Sequence, residues 1–525
     1  MREKADVIFE NARVLTCEPG QPTAEAVAVR GDRICCIGTN NFAAELKQTG
    51  TRVIDCQGKT LIPGFIDAHG HFFSLVRQLL SLDLSPAAVH SIQDIRDTIQ
   101  RKAHFIPTGT WISGSAYNEF YLKEKRHPTR RDLDEAALAH PVIIVHRSSH
   151  ACVLNSLALN IVGINIETEE PPGGWIERDL ETGEPNGILI EMLDYVKSRI
   201  PSPVSEAEMD WGIAEANRQY LSAGITSFGE ASFTNDVPEW ETFRKLKEAG
   251  KIAPRINMMA GGAFLPEFVA AGMATGAGDT QLKLGSLKIV LSAAGELNPP
   301  QAELNRLMLE AARAGFQVAV HAVERQAVEA AAAALEYVRD NLPPRDRRLR
   351  IEHCSECPPE LSQRLGNLRA IVVSQPSFLY YHGERYLATV DPETQKWLYP
   401  FKSLINAGVR LAGSSDSPVV PNNPLIGMYA AVNRLAQNGQ PILGGEVISA
   451  RQALEMYTIN AAAATFEERV KGSLAPGKLA DLVMLSDSPF MVPPEELKDI
   501  QVEMTVIGGT PHFSKPKRVC YNLDN

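Results

Sequence analysis

Residues 61–71 read LIPGFIDAHGH: a short apolar run that ends in two histidines one residue apart. Residues i and i+2 of a strand point the same way, so His69 and His71 can aim at one ion. Asp67 shares that face and is placed to orient a ligand histidine from behind. In a chain with 12 histidines one such pair can arise by chance, so the rest of the sequence has to decide.

Seven further apolar runs follow at intervals: GITSFGEA (224–231), RINMMAG (255–261), SLKIVLS (286–292), FQVAVHA (316–322), LRIEHC (349–354), RAIVVSQP (369–376) and VRLAGSSD (409–416). Helix-like segments such as QAELNRLMLEAARAG and ERQAVEAAAAALEYVRDN lie between several of them. Alternation of this kind marks parallel βα units, and eight runs are what a closed barrel needs. The pattern predicts an α/β fold, a (β/α)8 TIM barrel over residues 61–460. The Ala-rich stretch near 330 reads as a helix packed closely on that barrel.

The rhythm breaks once. Residues 75–205 are far too many for one crossover, and they hold strand-like runs of their own, WISGSAY and PVIIVHRSS, with the Pro/Gly-rich EEPPGGWIERDLETGEPNG. An inserted subdomain over the barrel mouth is expected there. The first sixty residues alternate apolar and polar positions in short runs, and the tail returns to that style in GSLAPGKLADLVMLS and IQVEMTVIGGT. Residues 1–60 and 461–525 are therefore expected to pair into one small β-sandwich domain.

The 525 residues are 44% hydrophobic and 22% charged, a globular composition, with a net charge of −11. That charge argues against a nucleic-acid partner, which needs a concentrated basic surface. MREKADVIFENARVL lacks the apolar core of a signal peptide, and no stretch reads as a membrane span. Eight scattered cysteines fit a reducing compartment, so a cytoplasmic protein is expected.

The remaining chemistry-bearing residues sit at run ends. His321 follows QVAV and His353 follows RIE, which puts four histidines on three runs at the end where barrel enzymes build their sites. Asp416 closes VRLAGSSD; alone it reads as a turn or helix cap, but beside the histidines it serves as a metal ligand and proton carrier. Lys288 lies inside the apolar SLKIVLS, where burial lowers an amine's pKa. The neutral amine can take up CO2 as a carbamate that bridges two cations; a snorkelling or carboxylate-paired lysine is the open alternative. Cys354 and Cys357 form a C-x-x-C with no second pair to complete a zinc site. Glu230, ending GITSFGE, reads equally as a pocket residue or as half of a strand-end salt bridge.

Taken in order, PGFIDAHGH, HRSSHACVLNSLAL with TGEPNGILIE, GITS, LKIVLS, QVAVHA, RIEHC, GSSDSPV and KGSLAPGKLADLVML resemble the amidohydrolase superfamily. The resemblance spans nearly the whole chain and is to the amidohydrolase-3 branch, which includes enzymes similar to N-substituted formamide deformylase. It implies a metal-dependent hydrolase of non-peptide C–N bonds (amide, N-formyl or cyclic amide), acting through metal-bound hydroxide on a small-molecule substrate. It further implies that His69 and His71 hold one of one or two divalent ions, zinc by the nature of the donors. A carbamylated Lys288 then bridges to a second ion on His321 and His353, while Asp416 holds the first and moves protons. His150, Trp175 and Glu191 are implied as substrate contacts, and a homo-oligomer is compatible with the pattern. The sequence departs from the family in HAVERQAV (321–328), where many members read H-A-x-G-D-R-A-V, and in SAAGEL (292–297), where many have Asp-Gly. Ester or lactone hydrolysis, or a lyase or isomerase reaction at the same site, is the alternative chemistry. A catalytically silent binding or scaffold barrel is the alternative class, and the presence of all six ligands weighs against it.

Overall fold

All eight apolar runs fold as strands of one parallel sheet in the computed structural model, which describes residues 4–171, 173–200, 204–292 and 296–516. They are β1 Phe65–Gly70, β2 Ile225–Glu230, β3 Arg255–Gly261, β4 Leu282–Val290, β5 Val318–Ala322, β6 Arg350–His353, β7 Ile371–Ser374 and β8 Arg410–Gly413. Each pairs with the next in chain order. The round is nearly completed just past β8, where the Asp416 backbone N–H donates to the His69 carbonyl at 2.8 Å. Strands covered on both faces need near-continuous apolar runs, and β1, β2, β3, β6 and β7 are buried at every position. Small residues let the helices approach: Gln301–Arg313 packs beside Arg325–Asn341, where Ala327, Ala330, Ala331, Ala332 and Ala334 are all buried.

Both ends of the chain meet beside the barrel. Strands Thr60–Pro63 and Leu482–Leu485 run antiparallel at the centre of a six-stranded sheet, with Arg13–Leu15 on one side and Val502–Ile507 on the other. A four-stranded sheet of Val7–Glu10, Ala26–Arg30, Arg33–Gly38 and Arg52–Asp55 shares its core: Phe9, Val27 and Val29 pack with Leu61, Leu482 and Val506. Thr60–Pro63 enters β1 through Gly64, where a Cβ would lie 2.1 Å from the Thr226 Oγ1 of β2, so the crossing needs a glycine. Arg255, which opens β3, makes two hydrogen bonds (2.7 and 3.0 Å) to the buried Asp481, which directly precedes the central strand Leu482–Leu485.

The chain divides into two compact units, and residues Phe72–Ala216 form the second. Its six-stranded sheet runs in the order Trp175–Arg178, Pro185–Ile190, Ala151–Leu154, Val142–His146, Ile112–Tyr117, Leu82–Asp83. The last three strands are parallel to one another. WISGSAY and PVIIVHRSS supply two of them. Asn155 caps helix Ser156–Val162 and also donates to the His140 carbonyl, which explains a buried amide in ACVLNSLAL without any role in catalysis.

Candidate metal centre

The C-terminal ends of the barrel strands bring His69, His71, Lys288, His321, His353 and Asp416 together. Nε2 of His71 lies 3.1 Å from Asp416 Oδ1, and Nε2 of His69 lies 3.6 Å from the same oxygen. Among the described residues, His69, His71 and Asp416 each offer a ligand atom within 4.8 Å of the others. The ring centroid of His353 is 5.0 Å from that of His69 and 4.3 Å from that of His321. Lys288 Nζ is 3.2 Å from His69 Nε2.

Three of the imidazoles are oriented from behind. Nδ1 of His69 meets the Glu352 carboxylate at 2.6 Å, a contact across the barrel interior between β1 and β6. Glu352 is itself held by Arg350, and both are fully buried. His71 Nδ1 meets Ser232 Oγ at 3.0 Å, and that hydroxyl donates to Glu230 at 2.5 Å, so its oxygen accepts from the ring. His353 Nδ1 meets Gln375 Oε1 at 2.8 Å, and the Gln375 amide donates on to Ser414. With Nδ1 carrying the proton in each ring, every Nε2 keeps its lone pair for the centre. The Nε2 of His353 is buried and hydrogen-bonds to nothing.

Electrostatics agree with neutral rings at His69 and His353 and an ionised Asp416 carboxylate. Burial and the charge of Lys288 hold His69 well below the ordinary histidine range, and burial lowers His353. Burial alone would raise Asp416, but the His71 hydrogen bond and the neighbouring imidazoles keep its carboxyl far below the usual carboxylate value. Burial also brings the Lys288 ammonium down to about 8, against the pull of Glu352 and Asp416. Both His353 (φ 73°) and Asp416 (φ 58°) adopt left-handed backbone, which places them where a regular strand would not.

Asp67 does not orient a histidine. Its carboxylate accepts from the Ser415 N–H (2.9 Å) and hydroxyl (2.5 Å), so it fastens β1 to the segment after β8. The orienting groups that the sequence reading missed are Glu352, Ser232 and Gln375. Glu352 carried the same signal as Lys288, a charged residue inside an apolar strand. Glu230 turns out to act on His71 through Ser232. Cys354 and Cys357 are free and buried. Part of SAAGEL, residues 293–295, lies outside the described residues.

His150, Trp175 and Glu191 belong to the second unit. His150 Nδ1 lies 2.8 Å from Glu191 Oε1, the Glu191 N–H donates to the His150 carbonyl, and Trp175 pairs with Ile190. All three side chains are exposed.

The model of the amidohydrolase family matches residues 52–513. The chain belongs to the amidohydrolase family. Among characterised relatives it is similar to the N-substituted formamide deformylase of Arthrobacter pascens, with 30% identity covering 98% of this chain and 99% of the relative. A putative amidohydrolase, YtcJ, of Bacillus subtilis is 28% identical, covering 91% of this chain and 94% of its own. An uncharacterised metal-dependent hydrolase of Pyrococcus horikoshii has the same fold, with a TM-score of 0.74 at 23% identity over 93% of this chain and 99% of its own. Membership makes the chain an enzyme, a hydrolase acting on C–N bonds. No helix among the described residues is long and apolar enough to cross a membrane.

Proposed function

We propose that this amidohydrolase cleaves the C–N bond of an amide, N-formyl or cyclic amide substrate at the cluster of His69, His71, Lys288, His321, His353 and Asp416. One observation carries the reading: three imidazoles commit Nδ1 to protein acceptors, and two of the freed Nε2 atoms lie within 3.6 Å of the Asp416 carboxylate. Imidazole nitrogen with carboxylate oxygen fits a divalent ion, zinc first among them. His69, His71 and Asp416 would hold one ion, and His321 and His353 a second.

Lys288 is the bridging group of this proposal. Its neutral amine attacks CO2, an N–C bond forms, and the proton lost from nitrogen passes to solvent, which leaves a carbamate anion. Bound ions supply Lewis acidity and a water acidic enough to attack at neutral pH. Asp416, ionised throughout that range, takes the proton of the attacking water and delivers it to the leaving nitrogen. Glu352 keeps His69 in the tautomer the centre needs. Contacts of His150, Trp175 and Glu191 with substrate, a β-sandwich built from residues 1–60 and 461–525, and a cytoplasmic location belong to the same proposal. N-formyl amines, the class named in the Arthrobacter relative, are the first substrates to try.

The test is metal analysis of protein never exposed to chelator, with hydrolysis assays over N-formyl, N-acyl and cyclic amides. At least one equivalent of divalent ion and loss of turnover on chelation are expected. Full activity with well below one equivalent would overturn the reading.

A further inference from the structure

Lys288 and Val290 lie two residues apart on β4, so their side chains share a face of that strand. The face is the barrel interior, since Lys288 Nζ reaches His69 Nε2 of β1 at 3.2 Å. Ala319, in register with Lys288 on β5, agrees: it packs with Met259 of β3 and Ala231 just past β2, strands that β5 does not neighbour. Val290 stands in register with His321, and the Leu291 N–H still donates to the His321 carbonyl, so the ladder stays regular to that level. Val290 therefore projects inward beside His321, whose ring centroid lies 4.3 Å from that of His353.

Exposure changes sharply along this face. Lys288 is 3% exposed and Val290 40%, over a rise of roughly 7 Å. The interior opens at the level of His321, and the side chain standing there is a branched hydrocarbon among candidate metal ligands. It offers apolar surface to whatever enters. Its place in the ring decides which part of an amide meets it. In the order of eight strands β4 lies four places from β8, across the barrel from Asp416. A scissile carbonyl carbon carries its nitrogen and its acyl substituent in different directions. With the nitrogen at Asp416, the acyl substituent points at Val290.

We propose that Val290 is a specificity-determining residue, the wall that receives the acyl group, and that the substrate is an amide of a short apolar carboxylic acid. This rests on the hydrolase reading of the centre, with Asp416 as proton donor to the leaving nitrogen. A formyl hydrogen would leave the wall uncovered, whereas a propyl chain buries its own methylenes together with the valine.

The test is calorimetric titration of the metal-loaded protein with hydroxamates, which chelate divalent ions through their two oxygens. Acetohydroxamate is compared with butanohydroxamate, which lengthens the acyl side by two carbons, and with N-ethylacetohydroxamate, which adds two carbons on nitrogen. Butanohydroxamate is expected to bind at least about 10-fold tighter than acetohydroxamate, the gain of burying two methylenes. N-ethylacetohydroxamate should gain less. V290T keeps the shape but adds a hydroxyl, and should cut the butano-to-aceto ratio to about 3 or lower. V290F fills the space, and should bring the ratio below one while acetohydroxamate binds as before. Metal content and circular dichroism verify that each variant is folded. A wild-type ratio near one, or a ratio that neither variant changes, overturns the proposal. A larger gain from the N-ethyl group overturns the acyl assignment. Acetohydroxamate that fails to bind, or that binds chelator-treated protein equally well, overturns the metal-centre reading and this proposal with it. Metal-dependent binding of acetohydroxamate with no gain from the longer chain overturns this proposal alone.

Discussion

His69 divides its ring between two tasks: Nδ1 is held by Glu352 and Nε2 faces Lys288 and Asp416. Changing Glu352 to Gln keeps the shape but leaves Arg350 buried without its counter-charge and allows the ring to reverse. A 10- to 100-fold loss of metal affinity, roughly, is expected from Glu352→Gln, measured by competition with a chelator. Asp416→Asn should keep the fold and lower kcat by about 10²-fold or more on an amide substrate; a kcat within a few-fold of wild type would remove Asp416 from proton transfer. Lys288→Ala should lower bound metal from near two equivalents, with activity partly restored by short carboxylic acids. Electron density ending at the Lys288 amine in a fully loaded, active crystal would exclude the carbamate. The six residues of the cluster were legible in sequence because five stand at or just past the end of an apolar run and Lys288 is a charge inside one. Their supports were not, since Glu352 acts on a strand almost 300 positions earlier in the chain, and no local pattern shows that contact. The same blindness misplaced Asp67, whose partner lies beyond β8.

At the scale of elements, β2 is joined to the C-terminal segment through a buried ion pair. Lys471 Nζ contacts Glu467 at 3.0 Å and donates to Ser227 of β2 at 3.1 Å. Burial would raise Glu467, but Lys471 and Lys283 lower it below its ordinary 4.5. A carboxyl depressed in the folded state contributes stability above its unfolded value and loses it as pH falls through the folded one. Glu467→Gln should therefore cost about 3 kcal/mol near neutral pH, because Lys471 stays buried unpaired. In denaturant titrations the gap to wild type should close progressively below pH 4.5; a gap independent of pH would assign the loss to packing. Gly64→Ala should cost roughly 1–3 kcal/mol by forcing Thr226 aside, read as a lower Tm. The eight strands were visible in sequence because strands buried on both faces leave uninterrupted apolar runs. The second unit was visible only as a gap with two strand-like pieces, since its order of mixed parallel and antiparallel strands depends on pairings between distant segments.

For the whole molecule, the strand pair Thr60–Pro63 and Leu482–Leu485 has a consequence in time. Leu61 finds Met484 only after about 420 more residues have been made. At 5–20 residues per second, synthesis holds the apolar edge of Thr60–Pro63 without that partner for roughly 20–80 s. Pairings this distant also carry the full entropy of closing a very long loop, so they are expected to form late. Nascent chains stalled before residue 480 should be cut by protease within the first sixty residues, whereas chains released at full length should resist; early protection there would show that the amino-terminal strands settle without their distant partners. The protein thus begins its life with an open seam that its own last strands close, and a ribosome that pauses late in the message leaves that seam exposed to neighbouring chains.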